Sequence, residues 1–357
     1  MTVSPFDHPI LSGLLGDEAA ARHFSVDAEL AAMLAFESAL AGAEAEHGVI
    51  SKDAAERIVA AIAGFRPEMA RLFEATARDG VPVPELVRQL RQITGQPHGA
   101  KIHFGATSQD AVDTALVLRL KPLAADLDAR LTALDRGLGT LGETFGNNAL
   151  MGVTRMQPAI PIRVSDRIAA WRGPLQRHRD RLARLSEDLF VVQFGGAAGT
   201  LETLGEKAGA VRRSLAEKLG LRDAPQWQSQ HDALADFAGW LSLVTGSLGK
   251  FGQDVALMTL DGRGIKLTGG GASSAMPHKQ NPVKAEMLVT LARFNALQLS
   301  GMHQALVHEF ERSGAAWTLE WMILPQMAVA AAASLRNAID LAASIECLGE
   351  EPGSGVA

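Results

Sequence analysis

The sequence predicts an all-α fold: a bundle of long helices preceded by a smaller helical domain. Three observations predict it. Leu116, Leu120, Leu123, Leu127, Leu131, Leu134, Leu138 and Leu141 are spaced by four or three. Leu234, Phe237, Leu241, Val244, Leu248, Phe251, Val255 and Met258 repeat the pattern. Such stripes mark helices packed nearly parallel in a bundle. Tyrosine is absent and aromatics make up 5%, while alanine and leucine abound, which favours helix over sheet.

The elements follow in order. Asp27–Ala45 reads as one amphipathic helix, and Ser51 caps the start of another. Pro82 and Pro84 interrupt the chain before a helix over Glu85–Thr94. Gly95-Gln96-Pro97-His98-Gly99 is a natural boundary. Residues 1–100 are therefore expected to form the smaller N-terminal domain, and 101–345 the long bundle. A third bundle helix runs from Pro282 to His308, with Met287, Leu291 and Phe294 on one face. A fourth covers Leu324–Ile345, where alanines allow close approach. Residues 346–357 read as a tail. One chain cannot easily cover both sides of such long stripes, so other subunits are expected to complete the bundle.

Bulk properties narrow the function. The net charge of −6 suggests no nucleic-acid or membrane-surface partner. An anionic substrate would need local positive charge. A single cysteine, Cys347, excludes an internal disulfide and a cysteine-based zinc site, and fits a reducing compartment. The start lacks the basic-then-apolar pattern of a secretory signal. No apolar run is read as approaching the roughly 20 residues of a membrane span. The histidines show no spacing such as His-Glu-x-x-His, so no metal is expected. The expectation is a soluble cytoplasmic protein.

Three segments could carry chemistry. His103-Phe104-Gly105-Ala106-Thr107-Ser108-Gln109-Asp110 precedes the first leucine stripe. Thr107 or Ser108 sits where an N-cap belongs; the segment is either a well-capped helix start or a carboxylate site built from free N–H groups, two hydroxyls and the helix dipole. Met151 to Pro161 contains two prolines and a glycine. Thr154, Arg155 and Gln157 there either face a cleft or decorate a surface turn. Gly269-Gly270-Gly271 opens a loop in which Lys279 and Asn281 lie six and eight residues after Ser273. Three glycines in a helical protein are costly in chain entropy and suggest a segment that moves, although a flexible linker would look similar. Gly195-Gly196-Ala197-Ala198-Gly199-Thr200 lacks the Lys-Ser/Thr of a phosphate loop and reads as a turn.

These residues resemble the fumarase/aspartase superfamily. The third segment resembles its signature Gly-Ser-Ser-x-Met-Pro-x-Lys-x-Asn, with Ala272 in place of the glycine and Glu286 at the following glutamate. Thr107-Ser108-x-Asp110 resembles the first signature region, and Thr154-Arg155-Met156-Gln157 the second. The likeness is greatest to the 3-carboxy-cis,cis-muconate cycloisomerase branch, through Gln193 to Leu201, Glu311-Arg312, and Trp317 to Trp321 followed by Leu324-Pro325. Most lyases of the superfamily carry Thr-His where Thr154-Arg155 stands. Adenylosuccinate lyases, the nearest rivals, usually carry a nucleotide-binding arginine where Thr318-Leu319-Glu320-Trp321 stands. The longer cycloisomerases also have a helical domain beyond the bundle, which the resemblance implies is missing here.

The resemblance implies a homotetramer with active sites shared by three subunits, no cofactor, and a small tricarboxylate substrate lactonised in protocatechuate breakdown. It implies Ser273 as the proton-transfer group. Lys279, Asn281 and the N–H groups near Ser274 would steady an enolate-like carboxylate. Thr107, Ser108 and His103 would hold another carboxylate. Arg155, which stays protonated, would clamp an anion rather than shuttle a proton, beside Thr154 and Gln157. Arg312 is a further anion contact. His231 stands where relatives usually have arginine; its role, like that of Glu286, is left open between structure and site.

Overall fold

The computed structural model describes residues 3–262, 264–272, 276 and 279–351. Two short helical turns, α1 (Ser12–Leu15) and α2 (Glu18–Arg22), precede α3 (Val26–Glu46), α4 (Lys52–Ala63), α5 (Met69–Asp79) and α6 (Val83–Thr94). Then come α7 (Ser108–Phe145), α8 (Val164–Leu189), α9 (Ala208–Leu219), α10 (Asp232–Asp261), α11 (Val283–Gln304) and α12 (Gly314–Ala343). Two small antiparallel pairs interrupt them: β1 (Ala149–Thr154) with β2 (Gln157–Arg163), and β3 (Ile265–Leu267) with β4 (Ile345–Leu348). The chain is thus all-α, as its leucine stripes predict.

Capping and burial explain the helices. The Ser25 and Ser51 hydroxyls accept from the N–H groups of Ala28 at 3.2 Å and Ala54 at 3.1 Å, starting α3 and α4. All eight leucines of the α7 stripe and all eight apolar residues of the α10 stripe are buried in one core, with α8 and α12. Each large side chain so buried contributes about 1.5–3 kcal/mol. A second core joins α3–α6 and α9 to the first turns of α7, through Ala111, Val112 and Ala115. α10 and α11 approach closely: a Cβ on Gly252 would lie 2.5 Å from the Ala285 carbonyl oxygen, so only glycine fits there.

Three expectations need correction. The chain does not fray from 346. β4 pairs with β3, and Glu350 exchanges two backbone hydrogen bonds of 2.9 Å with Ala149. This pairing satisfies backbone groups that a sequence scan sees only as four residues of mixed polarity. α12 begins at Gly314 rather than Leu324, because the Ser313 hydroxyl caps it through the Ala316 N–H at 3.2 Å. α12 is also long and apolar enough to cross a membrane by length and composition. Its apolar window is 67% buried within the chain, against the α7 and α10 core, which accounts for its composition.

The long helices fix where everything else lies. At 1.5 Å per residue, α7 is about 57 Å long and α10 about 45 Å. They start at the same end: His231, preceding α10, faces Asp113 in the second turn of α7 at 3.5 Å. Their other ends are also tied together. The Asn148 amide, just past α7, donates to the Leu348 carbonyl at 2.9 Å, and Gly349 N–H donates to Gly264, just past α10, at 2.8 Å. α11 then returns to the first end, delivering residues 305–313 beside α7.

His178 in α8 is buried against α10, with Nε2 2.8 Å from the Ser247 hydroxyl. Burial, then the charges of Arg181 and Arg177, push its pKa from 6.5 down to about 4. The unfolded chain takes up this proton below pH 6.5, and the fold only near pH 4. Stability should therefore fall as pH drops from 6.5 to 4, by about 2 kcal/mol from this group after allowance for solvent screening. Urea titrations at pH 7 and pH 4.5 should show a smaller difference between the two pH values in His178→Gln.

Candidate active site

The start of α7 is organised around one buried carboxylate. Asp110 accepts from the backbone N–H groups of Thr107 at 2.9 Å, Gly195 at 2.8 Å and Gly196 at 2.9 Å, and from the Gln193 side-chain amide at 3.0 Å. Burial pushes its pKa up, to about 6, and these four donors hold it from rising further, so it is ionised at neutral pH. The glycine-rich segment read as a turn is this carboxylate's partner. Gly196 has φ +68°, and a Cβ there would lie 2.8 Å from the Gly105 carbonyl oxygen. Only glycine brings two successive N–H groups onto Asp110.

Arg312 lies against the same helix start. Its Nη2 donates to the Thr107 hydroxyl at 2.8 Å and the Ala197 carbonyl at 3.2 Å, and its Nε donates to the Gln109 side-chain oxygen at 3.2 Å. Thr107 is the cap residue and Ser108 the first residue of α7. A guanidinium, the Thr107 hydroxyl and a helix N-terminus that begins at Ser108 therefore converge, an arrangement suited to a carboxylate. His103 sits nearby in the sequence in a left-handed conformation, φ +61°, with Nδ1 2.6 Å from buried Glu37. Burial alone would lower its pKa, but Glu37 outweighs burial and raises it. His231 is wholly buried, with Nδ1 2.8 Å from Glu320 and Nε2 3.5 Å from Asp113. Burial opposes its charge, yet these carboxylates raise its pKa to about 10. It is a buried imidazolium.

The other predicted residues occupy the opposite end. Thr154 and Gln157 close the β1–β2 hairpin as a Cα pair, with Arg155 (φ +49°) and Met156 (φ +64°) at its tip. Two successive positive φ values make the tight turn that suits the twist of a hairpin. Thr154, Arg155 and Gln157 are exposed. Gly271 and Asn281 exchange two backbone hydrogen bonds of 2.9 Å, which close the base of the glycine-rich loop. Lys279 is exposed within it, and Glu286 is exposed in the first turn of α11. Ser273 and Ser274, like His278, lie outside the described residues.

One chain therefore brings Thr107, Ser108 and Arg312 together but does not bring them to Arg155 or Lys279. The hairpin strands are about 20 Å long, too short to span a 57 Å helix. Sequence reading missed Asp110 as an organiser and missed Glu37, Gln109, Asp113 and Glu320. The available signal was periodicity: Gln109 and Asp113 are four apart, so both face the position that His231 fills.

Comparison with known proteins agrees with this architecture. The lyase family model matches residues 17–296. The chain is 41% identical over 331 residues to a 3-carboxy-cis,cis-muconate cycloisomerase of Pseudomonas aeruginosa, covering 90% of this chain and 72% of that one. A 3-carboxy-cis,cis-muconate lactonizing enzyme from Pseudomonas putida superposes with TM-score 0.88 at 38% identity, over 95% of this chain and 77% of that one. A fumarate lyase from Mesorhizobium sp. BNC1 superposes with TM-score 0.87 at 33% identity, over 94% and 76%.

Asp110→Ala would strand four buried donors. Urea denaturation should show a loss of about 2–4 kcal/mol; a loss under about 1 kcal/mol would contradict the organising role.

Proposed function

The chain belongs to the lyase family of the fumarase/aspartase superfamily, and on that premise we propose that it lactonises 3-carboxy-cis,cis-muconate to 4-carboxymuconolactone. In this reaction a carboxylate oxygen of the substrate adds across a double bond of the same molecule. One C–O bond forms, one proton reaches carbon, and nothing leaves. Negative charge builds on a neighbouring carboxylate before the proton arrives. Donors aimed at that charge supply the largest catalytic term, each typically worth about 3–4 kcal/mol.

The observation that carries this reading is Arg312 held against the capped start of α7. A guanidinium fixed by Thr107 and Gln109 offers its remaining donors to a carboxylate, and the N–H groups of the first turn add to it. Thr107, Ser108 and His103 hold one substrate carboxylate there. Ser273 delivers the proton while Lys279, Asn281 and the N–H groups near Ser274 steady the developing charge. Arg155, flanked by Thr154 and Gln157, clamps a third carboxylate.

These groups meet only if sites form between chains. We propose a homotetramer in which antiparallel neighbours bring the hairpin and loop end of one chain to the Arg312 end of another. Exposed Leu243, Leu260, Leu297 and Met322 on α10, α11 and α12 support association along the helices. The substrate is a small tricarboxylate, handled in the cytoplasm without nucleic acid or membrane. The fumarate-releasing alternative of the adenylosuccinate type is disfavoured because Glu320, near where that branch carries a nucleotide-binding arginine, is committed to His231.

Mixing the protein with 3-carboxy-cis,cis-muconate should remove the conjugated-diene absorbance, while adenylosuccinate and argininosuccinate release no fumarate. Fumarate release would overturn the reading. Arg155→His should lower kcat/KM by about 10²-fold or more; full activity in that variant would contradict the anion clamp.

A further inference from the structure

We propose that His231, His308 and Glu320 form a binding site for one divalent transition ion, best suited to zinc, at the Arg312 end of the bundle. The three residues come from three segments: the residue preceding α10, the 305–313 connection and α12. One donor atom from each lies within 4.8 Å of the other two. Their side chains are 0%, 2% and 3% exposed. The set is two imidazoles and one carboxylate, a familiar donor set for zinc.

His308 is the independent observation. Its ring is almost wholly buried, yet among the described residues neither nitrogen has a hydrogen-bond partner. Burying an unpaired polar group costs about 1–3 kcal/mol. The ring packs 4.5 Å from that of His231, and Nε2 stands 3.8 Å from the Glu320 carboxylate. Zinc bonds of about 2.0–2.1 Å place tetrahedral ligand atoms about 3.3 Å apart. Glu320 Oε1 lies 2.9 Å from His231 Nδ1 and 3.8 Å from His308 Nε2, distances that bracket that spacing.

The surroundings fit a ligated histidine. If His231 binds through Nδ1, its Nε2–H faces Asp113 Oδ2, 3.5 Å away, and that oxygen accepts no other hydrogen bond. The other Asp113 oxygen accepts from Trp317 Nε1 at 2.7 Å. A carboxylate behind a metal-bound imidazole fixes its ring and tautomer. Binding would fasten the connection that carries Arg312 to α10 and α12. It supplies no step of the proposed reaction, so its test is separate from the assay above.

Strip the purified protein with a chelator, exchange it into chelator-free buffer and titrate with cobalt(II). The expected result is visible d–d absorption of low-coordinate cobalt, saturating at one equivalent per chain, bleached by one equivalent of zinc and accompanied by a higher thermal midpoint. His308→Gln, whose ring has no hydrogen bonds to lose, should abolish the absorption, and Glu320→Gln should do the same. Exposed His303→Gln should leave it intact. No such absorption in the parent protein, or the same absorption in folded His308→Gln, overturns the proposal.

Discussion

Two rigid helices govern this molecule. α7 and α10 begin side by side, where His231 meets Asp113, and end side by side, where the Asn148 amide and the Gly264 carbonyl bind the strand segment following α12. Their leucine-rich seams are continuously buried, so neither can bend enough to bring its ends together. A helix of 38 residues keeps a fixed span of about 57 Å. Chemistry that needs both ends has to draw on more than one chain. A bundle with exposed leucines along its flanks has reason to pair with copies of itself. An antiparallel copy sets opposite ends together without changing either.

The two ends are built on different physics. The Arg312 end is stiff and charged inside. Asp110 gathers four donors and pins the Gly195–Gly196 turn, and that turn offers the Ala197 carbonyl to Arg312. Gln109 accepts from the guanidinium and donates to the Gln228 carbonyl, joining Arg312 to the segment before α10. Asp110 is held by four donors and His231 by the Glu320 carboxylate, and buried polar groups satisfied in this way favour a single arrangement. The opposite end is a hairpin with a two-residue tip and a loop closed only at its base by Gly271 and Asn281. Its predicted anion contacts, Arg155 and Lys279, are exposed. One end thus holds a guanidinium fixed against a helix start, and the other presents cations without fixed partners among the described residues.

Helices were the most legible part of the sequence, because a heptad stripe is a local pattern with a single efficient burial. The Ser25 and Ser51 helix starts, and the Thr107 cap, follow from hydroxyls placed before apolar periodicity. The β3–β4 pair was not legible. Its seven residues meet from positions about eighty apart, and strands that short carry no period. Arg312 and Thr107 are individually legible as anion contacts, but Asp110, the reason they cohere, is not. The Gly195–Gly196 segment lacks a phosphate-loop pattern because its N–H groups serve a protein carboxylate. His308 and Glu320 were invisible as a pair because twelve residues and a chain reversal separate them; spacing rules written for one helix cannot find ligands drawn from three segments.

Whether opposite ends of different chains make one active centre is tested most directly by subunit complementation. Arg312→Ala and Lys279→Ala proteins, each inactive alone, would be unfolded together, refolded as mixed assemblies and assayed for loss of the diene. If each centre takes Arg312 from one chain and Lys279 from another, random mixing restores a substantial fraction of parental activity through centres that inherit neither substitution. If the mixture stays as inactive as its parents although mixed assemblies are demonstrated, both residues act within a single chain and the account is wrong.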